Sequence, residues 1–248
     1  MRVWLVLAVL FAAAPAAAET LVSSLSTSRV AVTPNYTGAA VVAFGAIERD
    51  GQSVPRGSPY DVVVTVLGPR EPLVVREKGR LGPIWINQAQ ERFPAMPAFI
   101  GVFSSRPIAE VTTDPLRRRF KVGVQAIVDA PEQGAIPAPF REALLRLRRQ
   151  ERLFVESGRG VTFLTPSIFR APIPLPATAP TGNYEVEIVL FADGVVLART
   201  QTNFELVKTG LEARLADFAR DRGALYGLAT AGIALLFGWL ASVIFRRD

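Results

Sequence analysis

The chain has 248 residues, half of them hydrophobic, and a formal net charge of +6, which allows one large body or two small ones once apolar ends are set aside. It contains no cysteine and no histidine, and its methionines are Met1 and Met96. Disulfides, thiolate nucleophiles, Cys- or His-ligated metals, a thioether copper site and the usual general base near neutral pH are thereby excluded, and no cofactor is expected.

Met1-Arg2 is a short positive segment, Val3 to Ala14 is apolar, and Pro15 breaks the run before Ala16-Ala17-Ala18. Ala16 and Ala18 supply the small residues of an A-x-A cleavage site, so residues 1–18 are expected to be an export signal with Glu19 as the mature start. The alternative, an uncleaved anchor, is disfavoured because the apolar run is shorter than the roughly 17–25 residues a span needs. No cysteine follows, so a lipid anchor is excluded.

Residues 19–207 are expected to form a β-rich body outside the cytoplasm. Strand patterns occur over Ser28–Thr33, Thr37–Glu48, Asp61–Leu67, Pro72–Arg76, Ile84–Asn87 and Ala98–Ser104. Between them lie turn residues at Pro34-Asn35, Asp50-Gly51, Gly57-Ser58-Pro59, Gly68-Pro69 and Gly79. The sequon beginning at Asn35 reads as turn chemistry. Val62, Val64 and Val66 share one face of their strand and Val63, Thr65 and Leu67 the other, which suits a central strand covered on both sides. Trp85 and Phe44 are expected in the core between two sheets.

A helical insertion spans about residues 107–156. Asp114 caps a helix with Pro115 at its first position, and Leu116, Phe120, Val124 and Ile127 fall at i, i+4, i+8 and i+11. Pro139 precedes a second helix with Phe140, Ala143, Leu144 and Leu147 as its apolar stripe. Arg117, Arg118, Arg119, Lys121, Arg141, Arg146, Arg148, Arg149 and Arg152 make the segment basic. Contact with anionic lipid or an acidic partner is one reading. The favoured reading is a hairpin packed on the β body with a solvated charged face, supported by intrahelical pairs such as Glu142 with Arg146.

Strands resume at Thr181-Gly182-Asn183 and Tyr184–Phe191, where Tyr184, Val186, Ile188 and Leu190 face one way and Glu185 and Glu187 the other. Asp193-Gly194 then turns the chain into Val195–Val207 with a type I′ signature. This hairpin resembles the last one of an immunoglobulin-like sandwich, in which the tyrosine hydroxyl bonds back to nearby backbone. The expected fold class is therefore mainly β: an immunoglobulin-like β-sandwich with an inserted helical hairpin, plus one C-terminal transmembrane helix. Whether the two β regions form one sandwich or two stays open.

Leu211, Leu215 and Phe218 mark a membrane-proximal amphipathic helix over residues 208–223; it lacks the Gly/Ser composition of a flexible linker, so a fixed pose of the body is expected. Ala224 to Phe245 is uncharged and at 1.5 Å per residue covers roughly 33 Å, enough to span a bilayer. Tyr226 and Trp239 suit its interfaces, and Arg246 and Arg247, in the tail 246–248, suit a cytoplasmic end. Gly223, Gly227, Ala231, Ala234, Gly238 and Ser242 lie on one stripe where a second helix backbone could approach, a candidate transmembrane contact.

Tyr36-Thr37-Gly38, Phe44 to Arg49, Asp61 to Val64, Gly82-Pro83-Ile84-Trp85-Ile86-Asn87 and Ser104 to Pro107 carry a resemblance that continues through Tyr226-Gly227, Gly238 to Ala241 and Phe245-Arg246-Arg247. On these segments the chain resembles the uncharacterised alphaproteobacterial putative transmembrane protein family. The resemblance implies the same order of signal, body and single C-terminal span, carries no established activity or catalytic residue, and ranks a transporter first among partners.

The expected function is that of a membrane-anchored periplasmic accessory protein in the inner membrane. Its partners are the lipid bilayer and an integral membrane protein, not nucleic acid. The alternatives are a solute- or glycan-binding module and a His- and Cys-independent envelope hydrolase. No G-x-S-x-G, H-E-x-x-H or Walker A motif is present, and Ser157, in turn-like sequence with no identifiable base, is the nearest approach to a nucleophile. The chain is therefore not expected to be an enzyme.

Overall fold

The computed structural model describes residues 19–33, 36–49, 59–130, 135–209 and 218–244. The export signal, the turns at Pro34-Asn35 and Asp50-Gly51, Leu211 and Leu215, and the tail at 246–248 lie outside the described residues. The chain divides into two compact units, one within residues 1–30 and 37–206, the other within 31–36 and 207–248.

In the first unit, β1 (Glu19–Leu25), β3 (Gly38–Arg49), β9 (Thr162–Thr165) and β10 (Ile168–Pro176) form an antiparallel sheet in the order β1-β3-β10-β9. A second sheet contains β2 (Arg29–Val32), β4 (Asp61–Leu67), β7 (Ile100–Ser104), β8 (Phe154–Ser157), β11 (Gly182–Ala192) and β12 (Val195–Lys208). Its order is β2-β12-β11-β4-β7-β8. The pair β7–β8 is parallel, as is β2–β12, where the Ser28 and Val32 carbonyls accept the N–H groups of Glu205 and Thr209 in ascending register. Among the described residues β5 (Arg70–Leu81) and β6 (Ile84–Pro97) pair only with each other. The question left open by sequence is answered by neighbours: β3 lies beside β10 and β4 beside β11. Strands from before and after the helical insertion build one body.

Alternation along β3 sends Val41, Ala43 and Ile47 into the core and Phe44 out, at 42% exposure. This corrects the expected core position of Phe44. The small inward residues make room for aromatic side chains of the neighbouring strand. Phe169 pairs across from Gly45, and a Cβ on Gly45 would stand 2.2 Å from the Phe169 ring. Gly45→Ala is therefore expected to cost about 1–3 kcal/mol by overpacking, read as a lower denaturant midpoint.

β10 escapes sequence recognition because Pro172, Pro174 and Pro176 punctuate it. Their spacing of two puts all three missing N–H groups on one edge. That edge looks away from β3, and β9 pairs with β10 only as far as Arg170. Among the described residues the prolines thus occupy an unpaired edge, where they remove no ladder bond and discourage edge-to-edge association.

β4 is buried from Asp61 to Val66, as its two-sided apolar pattern predicts. In β11, Tyr184, Val186, Ile188 and Leu190 are buried. The Tyr184 ring stacks on Phe204 at 5.0 Å, and its hydroxyl donates to the Pro180 carbonyl at 2.6 Å, the expected bond back to backbone. Asp193 and Gly194 take φ of 52° and 78°, the two positive values a type I′ turn requires.

Among the described residues the insertion holds four helices where two were expected: α1 (Ile108–Val111), α2 (Asp114–Phe120), α3 (Val124–Val128) and α4 (Ala138–Gln150). The single helix read from Leu116 through Ile127 is broken at Lys121, whose φ of 52° ends α2, and at Gly123, with φ of 107°. The α3 start is then held from outside, since the Val124 N–H donates to the Glu156 carboxylate on β8 at 3.0 Å. Ile108, Val111, Val124, Ile127, Val128, Leu144 and Leu145 are buried; α3 contacts β7 and β8, and α4 contacts β5 and β8. Leu147, expected in the buried stripe of α4, is 45% exposed, and Leu145 is buried instead. Several basic residues are paired: Arg117 with Asp114 at 2.9 Å, Arg141 with Asp129 at 2.9 Å, and Arg148 with Glu151 at 3.0 Å and Glu71 at 3.4 Å.

One ion pair clamps the start of β4. The Asp61 side chain, 5% exposed, accepts the Ser105 hydroxyl and Arg106 Nε, both at 2.8 Å, and also Arg106 Nη2. The hydrogen bond to Asp61 raises the Arg106 pKa above its ordinary value; partial burial opposes this, and attraction from Asp61 and Glu110 adds to it.

Candidate functional site

The second unit contains α5 (Gly223–Ile244), 22 residues of high hydropathy without an acidic or basic side chain. At 1.5 Å per residue it is roughly 33 Å long, matching a hydrocarbon core of about 30 Å. Leu228, Leu235, Phe237 and Trp239 are each more than 60% exposed, and none of its residues is buried. A soluble helix would hide such side chains against its own protein. Residues 218–221 are helical and lead into it, and the Tyr226 N–H bonds to the Arg222 carbonyl at 3.0 Å. The Thr230 hydroxyl is satisfied within the helix, donating to the Tyr226 and Gly227 carbonyls, both at 3.0 Å.

The six small residues of the predicted stripe all lie on α5 and are exposed. At 100° per residue, Gly223, Gly227, Ala231, Ala234, Gly238 and Ser242 fall within an arc of about 100°, with the bulky side chains of Leu225, Leu235, Leu236, Phe237 and Trp239 outside it. A Cβ built on Gly223, Gly227 or Gly238 would meet nothing within 4 Å. Small side chains in such a row are the kind that lets helix backbones approach closely.

On the first unit, α4 and β5 border an open groove of about 500 Å³ lined by Val75, Arg76, Lys78, Phe140, Ala143 and Leu147. A second cleft of about 290 Å³ lies against the charged outer side of β11 and β12. In that cleft Arg199 pairs with Glu187 at 3.1 Å and lies over the Phe120 ring at 5.3 Å. Ser157 ends β8, and its carbonyl accepts the Ser104 hydroxyl at 3.4 Å, a strand position and not the turn read from sequence. Among the described residues, no three His, Cys, Asp or Glu side chains are grouped to hold a metal ion.

The feature that sequence placed wrongly is the β5–β6 hairpin. The short strands at 72–76 and 84–87 are parts of one arm turning at Gly82-Pro83, and Gly79 lies within its ladder opposite Ile86. The inner part of the arm is anchored by Val75, Phe93 and Met96, which are buried. Beyond Val75 no residue of β5 is buried, and Trp85, expected in the core, is 68% exposed beside the turn. The signal that could have shown this is the apolar run Leu81–Ile86 centred on Gly-Pro, a turn dipeptide flanked by charged and amide residues.

Comparison with known proteins adds one finding. A family described as "Putative transmembrane protein (Alph_Pro_TM)" matches residues 20–247. No curated protein matches the chain.

Proposed function

The chain belongs to this transmembrane protein family, alphaproteobacterial by name, and from that premise we propose that it is a membrane-anchored accessory protein docking an integral membrane partner. In this reading the body lies in the periplasm, α5 crosses the inner membrane once and the C-terminus is cytoplasmic. The leader-like residues 1–18 and the Arg246-Arg247 pair support that topology. The observation that carries the docking role is the unburied helix on which Gly223, Gly227, Ala231, Ala234, Gly238 and Ser242 share one side. The resemblance ranks a transporter first as partner. The body is read as non-catalytic.

We also infer an immunoglobulin-like body. The order β1-β3-β10-β9 corresponds to strands A, B, E and D of that fold, and β12-β11-β4 to G, F and C. The Tyr184 bond to Pro180 supports the same assignment.

The test is co-purification in mild detergent after crosslinking. The native chain is expected to recover one integral membrane protein. Replacing Gly227, Ala231, Ala234 and Gly238 by leucine is expected to lower that recovery severalfold, because the bulky side chains would hold the two helix backbones apart. Unchanged recovery would remove the stripe from the interface, and recovery of no membrane protein by the native chain would remove the docking role. The groove beside α4 supports a second reading, a solute- or glycan-binding module, since its volume is that of small-ligand sites. Saturable binding of a glycan or solute that is lost in Phe140→Ala would favour it.

A further inference from the structure

We propose that the free end of the β5–β6 hairpin is a second membrane contact, in which Leu81, Ile84 and Trp85 enter the interfacial layer of an anionic phospholipid leaflet and Arg76, Lys78 and Arg80 meet its phosphates. This inference goes beyond the docking role and does not depend on it. It starts from six consecutive residues, Leu81-Gly82-Pro83-Ile84-Trp85-Ile86, in which the indole N–H is the sole polar side-chain group. Leu81, Ile84 and Trp85 are 61%, 57% and 68% exposed. Folded chains seldom display three large apolar side chains together without an occupant for the patch.

The pairing register determines what kind of occupant fits. Leu81 stands opposite Ile84 and Arg80 opposite Trp85. Cross-strand partners share a face and successive pairs alternate, so the aliphatic pair lies on one side of the ribbon and the indole on the other. A protein groove or an added strand engages one face or one edge. A tip that is apolar on both faces suits an environment surrounding it on all sides, as the interfacial layer of a bilayer does. Trp is the side chain that favours this layer, with its ring in the apolar part and its N–H toward water.

The charges agree. Behind the tip stand Arg76, Lys78 and Arg80 with Glu77 as the one acid up to Gln90. Among the described residues none of the three cations is in an ion pair. Arg80 Nε donates to the Gly82 carbonyl at 3.0 Å, and Arg76 Nε to the Gln90 amide oxygen at 3.4 Å. Basic side chains at such a position are each worth about a fivefold gain in partition onto an anionic surface. The arm has the reach: Leu81 lies six residue steps beyond Val75, the last buried residue of β5, roughly 20 Å of strand. Because the chain also carries its own membrane helix, the bilayer is present at high effective concentration and even a weak contact becomes populated.

The experiment uses the full chain reconstituted in vesicles, with Trp4→Phe and Trp239→Phe so that Trp85 alone reports. In vesicles containing phosphatidylglycerol, Trp85 emission is expected to shift to the blue, to be quenched by brominated acyl chains and to resist aqueous iodide. Lys78→Gln with Arg80→Gln is expected to lower the quenched population severalfold, as is high salt. In purely zwitterionic vesicles the quenching is expected to be weaker. Water-like emission with full iodide quenching in every vesicle would overturn the proposal. So would protection from iodide without bromolipid quenching, which would mean that a second copy or another protein covers the tip.

Discussion

Replacing Ile233 and Leu236 together by arginine is expected to free the chain from membranes, so that it moves from the pellet to the supernatant on alkaline carbonate extraction. Both residues are exposed near the middle of α5. At a helix centre an apolar residue contributes about −0.5 kcal/mol to insertion and an arginine about +3, so the pair swings the balance by roughly 7 kcal/mol. Snorkelling relieves charges near helix ends and helps little at the midpoint. The matched control is Leu164→Arg, at a position of the body that is 54% exposed, which is expected to leave extraction unchanged. A double variant that still resists carbonate would show that something other than α5 holds the chain.

Arg106→Ala is expected to be the most damaging surface truncation of the body. Asp61 is almost wholly buried at the first position of the central strand β4, and Arg106 supplies two of its hydrogen bonds. Without the guanidinium, a desolvated carboxylate remains, with the Ser105 hydroxyl as the side-chain donor left to it among the described residues. Removing one partner of a buried pair costs about 3–5 kcal/mol, and because Arg106 is itself 46% exposed the lower end applies. For a body of this size that is a fall in melting temperature of roughly 6–12 °C. Arg106→Lys is expected to recover part of the loss, since an ammonium keeps the charge but not the two-pronged geometry. Adding Asp61→Asn to Arg106→Ala is expected to cost less than the sum of the single changes, which would establish the coupling. Additive losses would mean that the two residues act separately.

Some of the fold was legible because the information is local. β4 was recognised to the residue from its valine run, since a strand buried on both sides needs no polar alternation. The Asp193-Gly194 turn was recognised because two positive φ values select those residue types. Other elements were illegible for a nonlocal reason. β10 is a strand only because β3 supplies its ladder and no long partner demands the N–H groups that three prolines lack. Phe44 faces outward because the core opposite β3 is already filled by Phe169 over Gly45, a cross-strand fact absent from either segment alone. Gly79 looked like a turn because glycine usually marks one, whereas here the Gln88 side chain fills the place of its Cβ.

The candidate sites divide the same way. A membrane helix is a matter of length and hydropathy against a solvent of known thickness, so a segment read as Ala224–Phe245 lies within one residue of the helix Gly223–Ile244. Trp85 could not be placed from the chain alone, because an aromatic in a strand pattern has the same local signature whether its strand is covered by a second sheet or stands free. The amino-acid order alone determined the membrane segment, the alternation of β and helical regions and the chemistries the chain lacks. Tertiary structure decided that the two β regions interleave as one body and that one hairpin stands outside it with its apolar end bare, because strand neighbours are chosen by contacts between residues far apart in the chain.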